Sequence, residues 1–127
     1  MQKKRVLIVE DAAYMREMLA EMLEQEKGSY EVVGFAVNGK EAVEKYKELK
    51  PDLVTMDLAM EVMDGIQAIR AIKKYDPSAL IIAITALGTP EQRNAALEAG
   101  AEEYLWKPFS IKNLFEALEK LQRKRGE

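Results

Sequence analysis

Cysteine and histidine are both absent from this chain of 127 residues. Without cysteine there are no disulfides, no thiol nucleophiles and no thiolate metal ligands. Without histidine the chain has no Ser-His or Cys-His catalytic pair and cannot itself be a phosphohistidine donor. Any chemistry must therefore use carboxylates, hydroxyls, amines and the backbone, and hard oxygen donors favour magnesium, manganese or calcium over zinc.

Other signals are missing as well. No apolar run is long enough to span a bilayer. The basic start leads into an apolar run of only a strand's length and then into acidic residues, which argues against a signal peptide. The net charge of −3 does not indicate a nucleic-acid or membrane surface. No GxGxxG or P-loop motif follows the first apolar run, so those nucleotide sites are not expected. We expect a cytoplasmic protein whose partners are neither nucleic acid nor membrane.

Strand-like apolar runs alternate with helical patterns along the whole chain. This alternation predicts an α/β domain, a parallel sheet with helices on both faces, over residues 1–127, with a charged tail at 122–127 that should fray. A methionine-rich helical stripe after the first strand is interpreted as core packing rather than a ligand site. The predicted strands are Arg5 to Val9, Tyr30 to Val37, Leu53 to Met56, Leu80 to Ile84 and Glu103 to Trp106, and the stripe is Met15, Met18, Leu19, Met22 and Leu23.

Three of the helix starts have cap signals. Asn38 is followed at the capping-box position by Glu41. Thr89 precedes Pro90, which suits the first helical position, and Ser110 precedes the last helical pattern. These residues predict three of the boundaries between loop and helix.

Polar residues stand where the predicted strands end. Asp57 follows a buried apolar run, the pair Glu10 and Asp11 follows the first strand, and Thr85 and Lys107 follow the fourth and fifth. Open α/β sheets bind ligands at the carboxyl ends of their strands. Glu10 or Asp11 alone would be read as a solvated loop or cap residue. Together the five indicate a site for a divalent metal and a phosphoryl group.

Five short motifs resemble the receiver domain of two-component response regulators, most closely the single-domain chemotaxis regulators of the CheY type. They are the stretch from Val6 to Asp11, the stretch from Asp11 to Arg16, Asp57 with Met60 and Asp64-Gly65 after it, the stretch from Ile84 to Ala86, and the stretch from Tyr104 to Pro108. The resemblance implies a flavodoxin-like (βα)5 fold with strand order 2-1-3-4-5. It also implies a phosphoprotein that serves as a signalling switch and catalyses only its own phosphorylation and dephosphorylation.

The resemblance assigns a metal and an acceptor. Asp57 matches the phosphoryl acceptor, and Asp11 matches a direct ligand of Mg2+, with Mn2+ as the alternative cation. Glu10 matches a ligand acting through water. The backbone carbonyl of Ala59 matches a further oxygen ligand, and such a set suits a cation that keeps several waters.

The resemblance also assigns a switch and partners. Lys107 matches the lysine that pairs with the phosphoryl charge, Thr85 the hydroxyl that moves onto that group, and Tyr104 the aromatic that then turns inward. The implied phosphoryl donor is a sensor histidine kinase. Output would pass through the fourth helix, fifth strand and fifth helix to a target such as a flagellar switch protein, and a phosphatase is a possible further partner.

The chain departs from the family pattern after the acceptor. The usual proline after the loop methionine is replaced by Glu61, which frees φ and restores an amide donor, and this leaves the position of the Ala59 carbonyl less fixed. Ala59 and the non-acidic Leu87 are expected to affect water access to the site. Asp64 and Glu61 are interpreted as solvated loop charges.

Three alternatives remain open at this point. The chain is either a stand-alone regulator or a receiver excised from a longer transcriptional or enzymatic regulator. A phosphatase with an aspartyl-phosphate intermediate would need a second aspartate two residues after the acceptor, where this chain has Ala59. An engineered scaffold that keeps the fold without switching has the missing loop proline as its support.

Overall fold

The computed structural model describes residues 3–25, 28–60, 62–86 and 88–124. Five strands and five helices alternate through these residues, as the apolar pattern predicts. They are β1 (Lys4–Val9), α1 (Ala13–Gln25), β2 (Tyr30–Ala36), α2 (Gly39–Leu49), β3 (Leu53–Asp57), α3 (Gly65–Tyr75), β4 (Ile81–Thr85), α4 (Pro90–Ala99), β5 (Glu103–Trp106) and α5 (Ile111–Lys124).

The strands form one parallel sheet in the order β2-β1-β3-β4-β5. This confirms the strand order that the resemblance implied. β3 lies between β1 and β4, and its five residues are all buried. Val54 pairs with Leu7 on one side and Ile81 on the other. A strand that is covered on both faces favours an apolar sequence, and β3 has one up to its terminal aspartate, apart from the buried Thr55.

The core lies in two layers, one on each face of the sheet. One layer packs α2, α3 and α4 against the sheet, and the other packs α1 and α5, so the doubly wound arrangement is confirmed. The helix residues buried in the first layer are Ala42, Tyr46, Ala68, Ile69, Ile72, Ala96 and Ala99. Those buried in the second are Met15, Leu19, Leu23, Leu114, Ala117, Leu118 and Leu121, with Met18 and Met22 packed at its edge, so the methionine stripe is core.

The predicted caps are present. Asn38, Thr89 and Ser110 each accept a hydrogen bond from the backbone N–H three residues later, at 2.8, 3.1 and 3.0 Å. The carboxylate of Glu41 accepts from the N–H of Val37 at 3.2 Å, so it binds the residue before the cap. Each helix start thus satisfies donors that have no partner inside the helix.

Several predicted boundaries were wrong by small amounts. β1 begins at Lys4 rather than Arg5, β3 continues through Asp57, and β4 spans Ile81–Thr85 rather than Leu80 to Ile84. β2 ends at Ala36 rather than Val37, because residues 37 and 38 turn the chain into the Asn38 cap. α5 continues through Lys124, so residues 122–124 are helical rather than frayed. Leu121 is buried against the sheet layer, which anchors the last described turn. Residues 125–127 lie outside the described part of the chain. Among the described helices, none has the length and apolar character needed to cross a membrane.

Candidate phosphoryl-acceptor and metal site

The predicted site residues meet at the carboxyl edge of the sheet. β3 ends at Asp57 and β4 at Thr85, while Glu10 and Lys107 directly follow β1 and β5. The N–H of Glu10 donates to the carbonyl of Ala36 at 2.9 Å, which keeps Glu10 in line with the sheet. Parallel strands bring their carboxyl ends together, and this explains how residues as far apart in the chain as Glu10 and Lys107 become neighbours.

Three carboxylates cluster at this edge. Glu10, Asp11 and Asp57 each offer one oxygen, and these oxygens lie within 4.8 Å of one another. Glu10 and Asp57 are buried, 2% and 5% exposed, whereas Asp11 is exposed. Oε2 of Glu10 accepts from the backbone N–H of Ala12 at 3.1 Å. The cluster therefore has two carboxylates fixed inside the edge and one at its solvent side.

Lys107 supplies the positive charge. Its Nζ lies 2.7 Å from Oε1 of Glu10 and 3.5 Å from Oδ1 of Asp57. The backbone N–H of Lys107 donates to the carbonyl of Thr85 at 2.8 Å, which holds Lys107 against the end of β4. Burial disfavours the ammonium, but the hydrogen bond to Glu10 and the charge of Asp57 outweigh that cost, and the pKa of Lys107 is raised above 10.5.

Asp57 is electrostatically strained. Its pKa is raised from 3.8 to about 6, first by burial and then by the charge of Glu10, with a smaller contribution from Asp11. The charge of Lys107 and a hydrogen bond from the N–H of Ala59, at 3.4 Å, act in the opposite direction. The carboxylate is thus mainly ionised at pH 7, although burial and its acidic neighbours disfavour that form.

The donor set fits a hard divalent cation. Three clustered carboxylate oxygens suit Mg2+ or Mn2+, and none of the donors is a nitrogen or sulfur that would favour zinc. A bound cation would also relieve the repulsion among the carboxylates. Ala59 is exposed beside Asp57. The role of its backbone carbonyl as an oxygen ligand of the cation stays a prediction. Glu61 and Leu87, whose effects on metal geometry and water access were anticipated, lie outside the described residues.

The predicted switch residues lie on neighbouring strands, Thr85 on β4 and Tyr104 on β5. Thr85 is fully buried at the end of β4 and is in register with Trp106. Tyr104 is half-buried against the α2–α3–α4 layer. Its ring meets that of Trp106 edge-on, with centroids 6.5 Å apart. Trp106 is 54% exposed, and its indole covers Gly88, where a Cβ atom would lie 2.3 Å from the ring.

Two features of this edge were not recognised in the sequence. Asp64 is the N-cap of α3 and forms a complete capping box with Gln67, so its interpretation as a solvated loop charge missed its structural part. The spacing D-x-x-Q was the available signal.

The second feature is Arg16, whose Nη1 donates to the carbonyl oxygens of Glu10 and Asp11 at 2.9 and 3.1 Å. A contact between a side chain and two carbonyls leaves no pattern in the sequence.

Comparison with known proteins defines the class. The family model of the response regulator receiver domain matches residues 6–119, so the chain belongs to that family, as the motifs indicated. The chain is 52% identical over 120 residues to the chemotaxis protein CheY of Thermotoga maritima, covering 94% of this chain and 98% of that protein. It is 48% identical to CheY of Bacillus subtilis, covering 91% and 95%. It is therefore a receiver domain of the CheY type, a two-component phosphoacceptor.

A solved structure supports the same assignment. A chain in the crystal structure of the CheX-CheY-BeF3-Mg+2 complex from Borrelia burgdorferi superposes with a TM-score of 0.91 and 31% identity. The match covers 95% of this chain and 90% of that one. The flavodoxin-like arrangement described above is thus the receiver fold.

Proposed function

We propose that this chain is a chemotaxis-type signalling switch that accepts a phosphoryl group at Asp57 from the phosphohistidine of a sensor histidine kinase. One observation carries the proposal. A nearly buried carboxylate stands at the end of the central strand, 3.5 Å from an ammonium and within 4.8 Å of two further carboxylate oxygens. This arrangement supports Asp57 as the nucleophile, with a site for a cation and a counter-charge beside it.

The transfer would proceed by direct displacement. An oxygen of Asp57 attacks phosphorus, a P–O bond forms, the P–N bond of the donor breaks, and the imidazole leaves. A divalent cation held by Asp11 and Asp57, with Glu10 through water and the carbonyl of Ala59, would supply charge neutralisation for the phosphoryl oxygens. Lys107 is close enough to pair with a new oxygen on Asp57. Mg2+ is the proposed cation, with Mn2+ as the substitute.

We propose that the chain acts on no other substrate. It would catalyse only its own phosphorylation and its own dephosphorylation. A phosphatase acting on other esters would need a second acid near Ala59, and this position offers a methyl group. We place the exchange with the kinase in the cytoplasm.

The output would begin at Thr85. Its hydroxyl lies in the sheet edge that carries Asp57, so a dianion formed there offers it strong acceptor oxygens. Movement of Thr85 would open space for Tyr104 to turn inward and would change the surface formed by α4, β5 and α5. We propose that this surface binds the downstream target, such as a flagellar switch protein, and that a phosphatase ends the signal.

Intact-protein mass spectrometry after incubation with acetyl phosphate and Mg2+ tests the acceptor. Wild type should gain one phosphoryl group, and Asp57→Asn should gain none because it lacks the nucleophile. Asp64→Asn is the matched control, since asparagine can replace aspartate as a helix cap, and it should label like wild type. Equal labelling of Asp57→Asn and wild type would reject Asp57 as the acceptor, and an unlabelled wild type would favour an unswitched scaffold.

A further inference from the structure

The guanidinium of Arg16 joins α1 to the backbone of the acidic pair. Arg16 lies in the first turn of α1 (Ala13–Gln25) and is half-buried. Its Nη1 donates to the carbonyl oxygens of Glu10 at 2.9 Å and of Asp11 at 3.1 Å. One side chain thus fixes the two consecutive carbonyls that belong to two of the three clustered carboxylate residues.

The two acidic residues depend on this contact to different degrees. Glu10 is also held by the backbone of β2, by the N–H of Ala12 and by Lys107. Asp11 is exposed, and in the described residues Arg16 is the side chain that donates a hydrogen bond to its backbone. Loss of Arg16 should therefore free Asp11 far more than Glu10.

The geometry points to Arg16 as a positioning residue of the metal site, an inference that rests on the proposed function. The orientation of the peptide after Asp11 helps to set the direction in which its side chain leaves the backbone. With that peptide held, the carboxylate of Asp11 stays beside those of Glu10 and Asp57. Without the guanidinium, the carboxylate of Asp11 would spend part of its time turned away from those of Glu10 and Asp57. The apparent dissociation constant for a cation rises as the competent fraction falls.

The direction of the change in Mg2+ affinity distinguishes a positioning role of Arg16 from an effect of its charge. Arg16 is positive and lies next to a site for a cation, so Coulomb repulsion alone predicts that its removal strengthens Mg2+ binding. Positioning predicts the reverse, a weaker site. A mutation that removes both the charge and the donors can therefore distinguish the two by direction.

The first experiment is calorimetric titration of the full chain with Mg2+. Arg16→Met keeps an unbranched apolar stem and removes the donors, and we expect about 10-fold weaker binding, the lower range for residues that orient metal ligands. Arg16→Lys keeps a charge and several donors and should recover most of that loss. Arg70→Met is the control, since Arg70 is an exposed arginine on α3, and it should match wild type.

The second experiment measures acetyl phosphate labelling over a range of Mg2+ concentrations. Arg16 contacts backbone carbonyls and not the carboxylates, so Arg16→Met should raise the half-saturating Mg2+ concentration about 10-fold and leave the maximal rate near that of wild type. A merely structural part in folding would not move the half-saturating concentration. If Arg16→Met does not fold, Arg16→Gln, which keeps one amide donor, takes its place and should give a smaller shift in the same direction.

The outcomes are distinct. Mg2+ binding by Arg16→Met that equals or exceeds that of wild type would overturn the inference while leaving the proposed function intact, provided that wild type binds Mg2+ and is labelled. A wild-type chain that neither binds Mg2+ nor accepts the phosphoryl group would overturn both. Weaker binding that Arg16→Lys partly restores would support positioning.

Discussion

Replacing Asp57 by asparagine should stabilise the unphosphorylated protein at neutral pH, and the gain should disappear in acid. The pKa of Asp57 is raised from 3.8 to about 6, mainly by burial and by the charge of Glu10. Well below pH 3.8 the carboxyl group is protonated in both the folded and the unfolded chain, so it costs nothing. As the pH rises towards 6, the unfolded chain releases a proton that the folded chain retains, and the folded state loses relative stability.

The magnitude follows from the size of the shift. Each pKa unit corresponds to about 1.4 kcal/mol, so a rise from 3.8 to about 6 makes ionised Asp57 cost about 3 kcal/mol, as an order of magnitude. Asparagine has nearly the same shape, carries no charge and can still accept from Ala59. The free energy of unfolding of Asp57→Asn should therefore exceed that of wild type by about 3 kcal/mol above pH 7 and by much less at pH 4.5.

Urea unfolding followed by far-UV circular dichroism, in EDTA and at several pH values from 4.5 to 8, gives the comparison. Asp64→Asn is the control, and its stability should stay within about 0.5 kcal/mol of wild type at neutral pH. Added Mg2+ should shrink the difference, because a cation bound to the folded wild type stabilises it. A variant that is less stable than wild type at pH 7.5, or a difference equal at pH 4.5 and 7.5, would refute the assignment of strain to Asp57.

Three further predictions concern the metal, the switch and the loop. Asp11→Ala should weaken Mg2+ binding by about 10-fold in calorimetry because it removes an oxygen ligand, and an unchanged affinity would remove Asp11 from the metal site. Trp106 fluorescence should respond to Mg2+ with beryllofluoride in wild type, because its indole covers Gly88 in the loop after β4. The response should be much smaller in Thr85→Ala, and equal responses would show that Thr85 does not couple the site to this surface. Val62→Asn should raise the free energy of unfolding by about 1 kcal/mol, because Val62 has a φ of 51° and asparagine tolerates the left-handed region better; a loss of stability in urea unfolding would contradict the strain.

Sequence reasoning predicted which polar residues meet at this edge because each of them stands at or just after the end of a strand. Each of the residues Asp57, Thr85 and Lys107 follows an apolar run whose direction is known once the sheet is parallel, so the topology brings them together without knowledge of any contact. The helix caps were equally accessible, since a cap is a local arrangement of three or four residues. The resemblance supplied what periodicity could not, the strand order and the individual roles.

Contacts between distant side chains were not accessible in the same way. The sequence paired Lys107 with a future phosphoryl group, whereas in the structure its Nζ lies closer to Glu10 than to Asp57. Glu10 therefore has two effects. Its negative charge raises the pKa of Asp57, and its carboxylate holds the ammonium of Lys107 at 2.7 Å. On the proposed function, a dianion on Asp57 would compete with Glu10 for Lys107, and release of the Lys107–Glu10 ion pair would give the site a second charge arrangement.

The loop after Asp57 was judged from its missing proline, but the described structure places the strain further along. Val62 and Met63 both have positive φ, at 51° and 69°, and the carbonyl of Met63 accepts from the N–H of Gly39 at 2.9 Å. A Cβ at residue 39 would lie 2.2 Å from that carbonyl oxygen, so only glycine permits the approach. Val62 and Met63 are thus held in an unfavourable backbone conformation by the contact with α2 and by the Asp64 cap of α3. Tertiary contacts thus hold the described residues 62 and 63, and the departure from the family pattern does not by itself argue for an unswitched scaffold.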